Sequence, residues 1–153
     1  MVTGGVELAW MRTLLNVLWL VLAGIWLALG YVLAAVLMAI TIIGIPFAKQ
    51  ALKLAGYAVW PFGRTLVPSE TRHKGLSVFA NVLWFVLVGW WLALEHLVVG
   101  VVLCITIIGI PLGVGSIKMA GAALVPFGKE VVELSKLGSA PEGAIVLGSE
   151  SEQ

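Results

Sequence analysis

Glu95 and His96 are the residues best equipped for chemistry in this chain. They are adjacent, and no other charged residue lies between Lys74 and Lys118. A carboxylate and an imidazole at bilayer depth could relay a proton or line an ion path. A plainer reading places them at the outer interface, hydrated, capping a hairpin turn. The matching place in an earlier copy of the same segment reads Gly30-Tyr31. The unit therefore does not need the charge, and the hydrated cap is the expectation.

A second pattern is doubled. Ile40-Thr41-Ile42-Ile43-Gly44-Ile45-Pro46 returns as Ile105-Thr106-Ile107-Ile108-Gly109-Ile110-Pro111. Pro46 and Pro111 each remove a backbone donor, so each kinks a helix or begins one. Interrupted segments at matching positions of two halves can mark a transporter site. On that reading Gly44, Pro46, Gly109 and Pro111 line a path near a pseudo-twofold axis. The structural alternative, which is favoured, has Thr41 and Thr106 bonding back one turn while Gly44 and Gly109 allow close approach.

Other chemistry is thinly supported. Cys104 is the single cysteine and sits in an apolar run, where it reads as a small hydrophobe. His73 and His96 are too far apart in pattern for a metal site. Phosphate loops, nucleophile elbows and Cys/His ligand spacings do not appear. No catalytic, cofactor or metal residue is assigned, and no cofactor is expected. A net charge of +1 gives no nucleic-acid footprint. Trp10 and Trp60 end apolar stretches, as belt residues do. Trp19, Trp26, Trp84, Trp90 and Trp91 fall inside them and are expected to pack against lipid or helices.

What must position these residues is a repeat. Asn16-Val17-Leu18-Trp19 returns as Asn81-Val82-Leu83-Trp84, and Pro61-Phe62-Gly63 as Pro126-Phe127-Gly128. Every match has an offset of 65 residues, and about half of the positions agree between 16–66 and 81–131. Such a repeat fixes the architecture before any motif does. The chain divides into an extension (1–10), a first repeat (11–66), a polar connection (67–76), a second repeat (77–132) and a tail (133–153) expected to be disordered. Small residues recur four apart, at Gly24 with Ala28, Gly89 with Ala93, Gly44 with Ala48 and Gly109 with Gly113. Helices pack in lipid through such faces.

The composition is that of a membrane protein: 61% hydrophobic and 11% charged, against about 25% charge in soluble domains. Apolar stretches without alternation favour helices over barrel strands. The fold class is an all-α integral membrane protein of two tandem helical repeats, each a hairpin or long span plus a Pro-kinked segment. Phe47–Trp60 is amphipathic and suits a helix at or beside the interface. The first apolar run is too long for a cleavable signal peptide, and no small-residue site ends it.

Two topologies remain. A single crossing per repeat inverts the copies and splits the basic residues. Lys49, Lys53, Arg64, Arg72 and Lys74 then face Arg12, Lys118, Lys129 and Lys136. Hairpins turning at Gly30-Tyr31 and Glu95-His96 put all nine on one side. The positive-inside rule prefers that arrangement, although Gly30-Tyr31 is short and barely polar for a turn. Arg64, Arg72, His73 and Lys74 could attract anionic head groups, though setting topology is their plainer role.

Met11-Arg12-Thr13-Leu14-Leu15-Asn16, Gly89-Trp90-Trp91-Leu92 with His96, Cys104 through Pro111, and Pro126-Phe127-Gly128-Lys129 together resemble the bacterial YccF inner-membrane family, whose domain occurs in tandem. The resemblance covers about 11–132. It implies a multi-pass inner-membrane protein, and it brings no reaction, substrate or site residue. Partners are then the lipid bilayer and other membrane proteins or a homo-oligomer, with no small-molecule ligand identified. The expected role is a non-enzymatic assembly or accessory component. The alternative is a small channel or transporter formed by the two repeats.

Overall fold

A computed structural model describes residues 3–69, 74–137 and 145–146. The first repeat opens with one unbroken helical rod. It comprises α1 (Thr3–Trp19), a π-helical turn (Leu20–Gly24) and α2 (Ile25–Ala39). The chain then turns through Ile40–Gly44 and returns as α3 (Ile45–Val59). The second repeat does the same, with α4 (Lys74–Trp84), a π-helical turn (Phe85–Gly89), α5 (Trp90–Cys104) and α6 (Ile110–Leu124). Two rods, Glu7–Ala39 and Lys74–Cys104, are long and apolar enough to cross a membrane, with mean hydropathies of 2.5 and 2.0. At 1.5 Å per residue they measure about 50 and 46 Å.

Each turn is built by the doubled motif. Thr41 Oγ1 donates to the Met38 carbonyl at 3.3 Å and accepts the Gly44 N–H at 3.1 Å. Thr106 repeats this with Leu103 at 3.1 Å and Gly109 at 3.0 Å. One hydroxyl thus serves two backbone groups that apolar surroundings would leave stranded. A Cβ on Gly44 would collide with the Met38 carbonyl, and one on Gly109 with that of Leu103. Glycine is needed because the turn folds onto its own last carbonyl. Pro46 and Pro111 follow within the first turn of α3 and α6, where a missing N–H costs no helical bond.

The returning arm closes onto its starting point. Asn16 Nδ2 donates to the Phe62 carbonyl at 2.9 Å, and the Phe62 N–H donates back to Asn16 Oδ1 at 3.0 Å. Asn81 makes the same pair with Phe127 at 3.0 and 2.9 Å. Trp19 Nε1 donates to the Ala58 carbonyl at 2.6 Å, and Trp84 Nε1 to that of Ala123 at 2.7 Å. Gly24 and Gly89 permit this, since a Cβ at either would crowd the indole. Both indoles are fully buried with their N–H groups satisfied. Gly63 and Gly128, at φ of 94° and 84°, then take the left-handed step that a side chain resists. Each repeat is therefore a closed loop whose two ends meet at one root.

A small sheet joins the roots. Strand β1 (Arg64–Pro68) pairs antiparallel with β2 (Lys129–Glu133) and, on its other edge, with β3 (Ile145–Val146). In the β1–β2 register Leu66 faces Val131, its own counterpart at the 65-residue offset. A pseudo-twofold axis passes through that pair.

Three expectations change. The hairpin turns expected at Gly30-Tyr31 and Glu95-His96 do not form; each repeat has the long-span form and turns back only at 40–44 or 105–109. Helix runs straight through Gly30-Tyr31 and Glu95-His96. A break there would free backbone groups with no threonine or proline–glycine frame to satisfy them, so the helix continues. The regular structure includes a sheet, which reading by helical hydropathy passed over. It also continues past 132, through β2 and a short 3-10 turn at Leu134–Lys136. Ladder bonds to β1 hold this stretch. Arg72 and His73 of the polar connection lie outside the described residues, as do 138–144 and 147–153 of the tail.

Candidate functional site

The axis that crosses the sheet also passes between α2 and α5. Tyr31 and His96 are counterparts at the 65-residue offset, and they touch. The Tyr31 hydroxyl lies 3.0 Å from His96 Nε2, with the rings 5.7 Å apart and inclined by 57°. The neighbouring counterparts, Gly30 and Glu95, also meet: a Cβ on Gly30 would overlap the Glu95 carboxylate. The missing side chain in one repeat makes room for the acid in the other. Such self-facing contacts are the signature of an isologous interface.

The remaining partner comes from α6. Ser116 Oγ donates to the His96 carbonyl at 2.7 Å and lies 3.4 Å from His96 Nδ1. With its proton used on that carbonyl, Ser116 offers the ring only a lone pair. The proton of a neutral His96 therefore sits on Nδ1, and Nε2 accepts the Tyr31 O–H. His96 and Ser116 are fully buried and Tyr31 nearly so. Tyr31, His96 and Ser116 thus satisfy one another. Glu95 differs: its Oε2 is buried and has no hydrogen-bond partner among the described residues.

This placement overturns the hydrated cap. Glu95 and His96 sit mid-helix, fifteen residues or about 22 Å along the rod from Asn81 and its root. Thr41 and Thr106 bond back as expected, but Gly44 and Gly109 make room for their own turn's carbonyl rather than for a neighbouring helix. Gly44, Pro46, Gly109 and Pro111 form two hairpin tips. Tyr31 and Thr41 are ten residues apart, about 15 Å along the helix direction. Between the rods, the counterparts seen to meet on the axis are Tyr31 with His96 and Gly30 with Glu95. Around the tips Ile42 and Ile107 are 86% and 87% exposed, an apolar surface unsuited to water.

Further contacts bind the second root to α3. Gln50 Nε2 donates to the Pro126 carbonyl at 2.7 Å, and Lys53 Nζ to the Lys129 carbonyl at 2.7 Å. The Phe47 and Phe127 rings pack edge to face at 5.1 Å. Sequence reading missed this seam. Its signal was asymmetry, since Gln50 and Lys49 stand where the second repeat has Gly115 and Val114. Trp26 and Trp90 face outward and Trp91 packs against the core. No group of three or more metal-ligating side chains occurs among the described residues.

The YccF family model, described as an inner membrane component domain, matches residues 14–64 and again 79–129. The chain is 34% identical over 140 residues to the inner membrane protein YccF of Escherichia coli K12, covering 86% of this chain and 95% of that one. The Shigella flexneri protein of the same name matches to the same extent. No solved structure matches.

Proposed function

This chain belongs to the YccF family of inner membrane component domains, and from that premise we propose that it is a multi-pass, non-enzymatic assembly component of the bacterial inner membrane. The observation that carries this reading is where the polar groups go. The polar side chains that link the helices are spent on one another or on backbone, through the Asn16–Phe62, Trp19–Ala58 and Tyr31–His96 contacts. Apolar residues such as Val21, Trp26, Leu33 and Val36 cover the outside. A molecule so built presents packing surface, and it offers little from which to make an acid–base pair.

Each repeat begins and ends at its root, and the tip of the first comes beside the root of the second, where Phe47 packs on Phe127. At the first root Arg12 lies against Gly63, and Arg64 and Lys129 open the two paired strands. By the positive-inside rule the sheet that joins the roots faces the cytoplasm. Thiol labelling of Glu133→Cys and Ser135→Cys, with Cys104→Ala, in intact cells and inverted vesicles tests the placement. Both positions should label from the cytoplasmic side and neither from outside.

The unpartnered Glu95 oxygen favours a second reading, a proton or ion path on the axis. Flux in proteoliposomes separates the two. Background flux under varied ions and potentials is the expected result. Flux that Glu95→Gln or Pro111→Ala abolishes would replace assembly with transport.

A further inference from the structure

The pseudo-twofold symmetry fails most where it matters for charge. A cleft of about 400 Å³ lies between α3 and the second root, and Lys49, Gln50, Lys53, Ser69, Lys129 and Glu130 line it. Three lysines face one glutamate. That glutamate accepts the Ser69 hydroxyl at 2.8 Å, which holds its carboxylate on one wall. The counterparts of Lys49, Gln50, Ser69 and Glu130 in the other repeat are Val114, Gly115, Leu134 and Thr65. The counterpart positions of the other repeat thus lack this set of side chains.

We propose that this cleft binds the phosphate of an anionic phospholipid. Phosphate is the group that several amines in one concavity recognise, as point charges without fork geometry. Partial burial lowers the Lys129 amine from its ordinary value, and an anion beside it reverses that penalty. A lipid rather than a soluble phosphate is favoured by what adjoins the lysines. Ile45 lines the same cleft and is exposed, and so is Leu52, on the same helix. Acyl chains can follow α3 while the headgroup stays among Lys49, Lys53 and Lys129. This inference stands apart from the assembly role, and either can fail alone.

Native mass spectrometry of the full chain in mild detergent, with phosphatidylglycerol and phosphatidylcholine at equal mole fraction, tests it. Retention of phosphatidylglycerol about thirtyfold above phosphatidylcholine is expected, the order that a net excess of two amines supplies. The double variant Lys49→Gln/Lys129→Gln should fall to the phosphatidylcholine level, while Lys118→Gln should behave as the unaltered chain. Equal retention of the two lipids overturns the proposal, as does an unaffected double variant. Displacement of the lipid by millimolar inorganic phosphate assigns the cleft to a free anion and overturns it as a lipid site. Photoactivatable phosphatidylglycerol on the unaltered chain guards against misfolding of the variant. Adducts should map to Ile45 and Leu52, and an even spread that includes Phe79 and Val82 on α4 contradicts the proposal.

Discussion

Asn16→Leu should damage this protein far more than Asn81→Leu, although the two asparagines make the same pair of bonds. Asn16 is fully buried, and its amide both donates to and accepts from the Phe62 backbone. Leucine leaves that N–H and C=O without the amide in a dry setting. An orphaned buried polar group costs about 1–3 kcal/mol, so two give about 2–6 kcal/mol. Side-chain hydrogen bonds in membrane helices average only about 0.6 kcal/mol, because the unfolded chain in lipid finds other partners. The low end of the range, about 2–3 kcal/mol, is therefore the expected loss. Asn81 is only half-buried, so water or headgroups can replace its amide, and about 1 kcal/mol is expected. Sodium dodecyl sulfate titration in mild detergent, followed by near-ultraviolet circular dichroism, measures both. The Trp19 ring packs edge to face on Phe62 at 5.9 Å and reports on the root. Equal losses, or a loss below about 0.5 kcal/mol for Asn16→Leu, would refute the argument from burial.

Gly44→Ala and Gly109→Ala force a Cβ into a carbonyl of the same turn and should each cost about 1–3 kcal/mol. Gly56→Ala meets nothing within 4 Å and should be neutral or mildly stabilising in the same titration. Tyr31→Phe removes the hydroxyl bonded to His96 and should lose about 1 kcal/mol. Tyr57→Phe removes a buried hydroxyl with no partner among the described residues and should gain up to about 1 kcal/mol; a shared sign for the two variants would contradict the assigned hydrogen bonds. The Lys129 amine is lowered by burial from about 10.5, so the unfolded chain binds its proton more tightly than the folded one. Its share of stability therefore grows as pH rises from the lowered value toward 10.5. Thermal midpoints across that alkaline window should climb less steeply in Lys129→Gln than in the unaltered chain.

Much of this was legible in the sequence because repetition writes structure twice. The 65-residue offset gave the two halves, and the Thr-x-x-Gly-x-Pro spacing marked a break with its own hydrogen-bonding logic. Polarity is a misleading sign of the hairpin turn. Glu95-His96 is the most polar point in its rod, but turning in apolar surroundings depends on satisfying backbone groups, and Thr106 and Gly109 do that where Glu95 cannot. The sheet escaped for a different reason. Thr65-Leu66-Val67 and Glu130-Val131-Val132 are β-prone runs directly after Pro-Phe-Gly, but each is too short to declare itself until its partner lies alongside. The cluster on the axis was unreadable from either repeat alone. Tyr31 looked like a turn residue, and only the superposition of position 31 on position 96 gives it a partner.

The fit of Gly30 to Glu95 also makes the two halves non-interchangeable. A chain with two first halves would set glycine against glycine on the axis and leave a gap. A chain with two second halves would press two carboxylates together and face one imidazole with another. Neither half can now stand in for its sibling, although half of their residues still agree. The tandem order is thus carried at two neighbouring positions, where each copy holds what the other's shape requires, as a lock and its key.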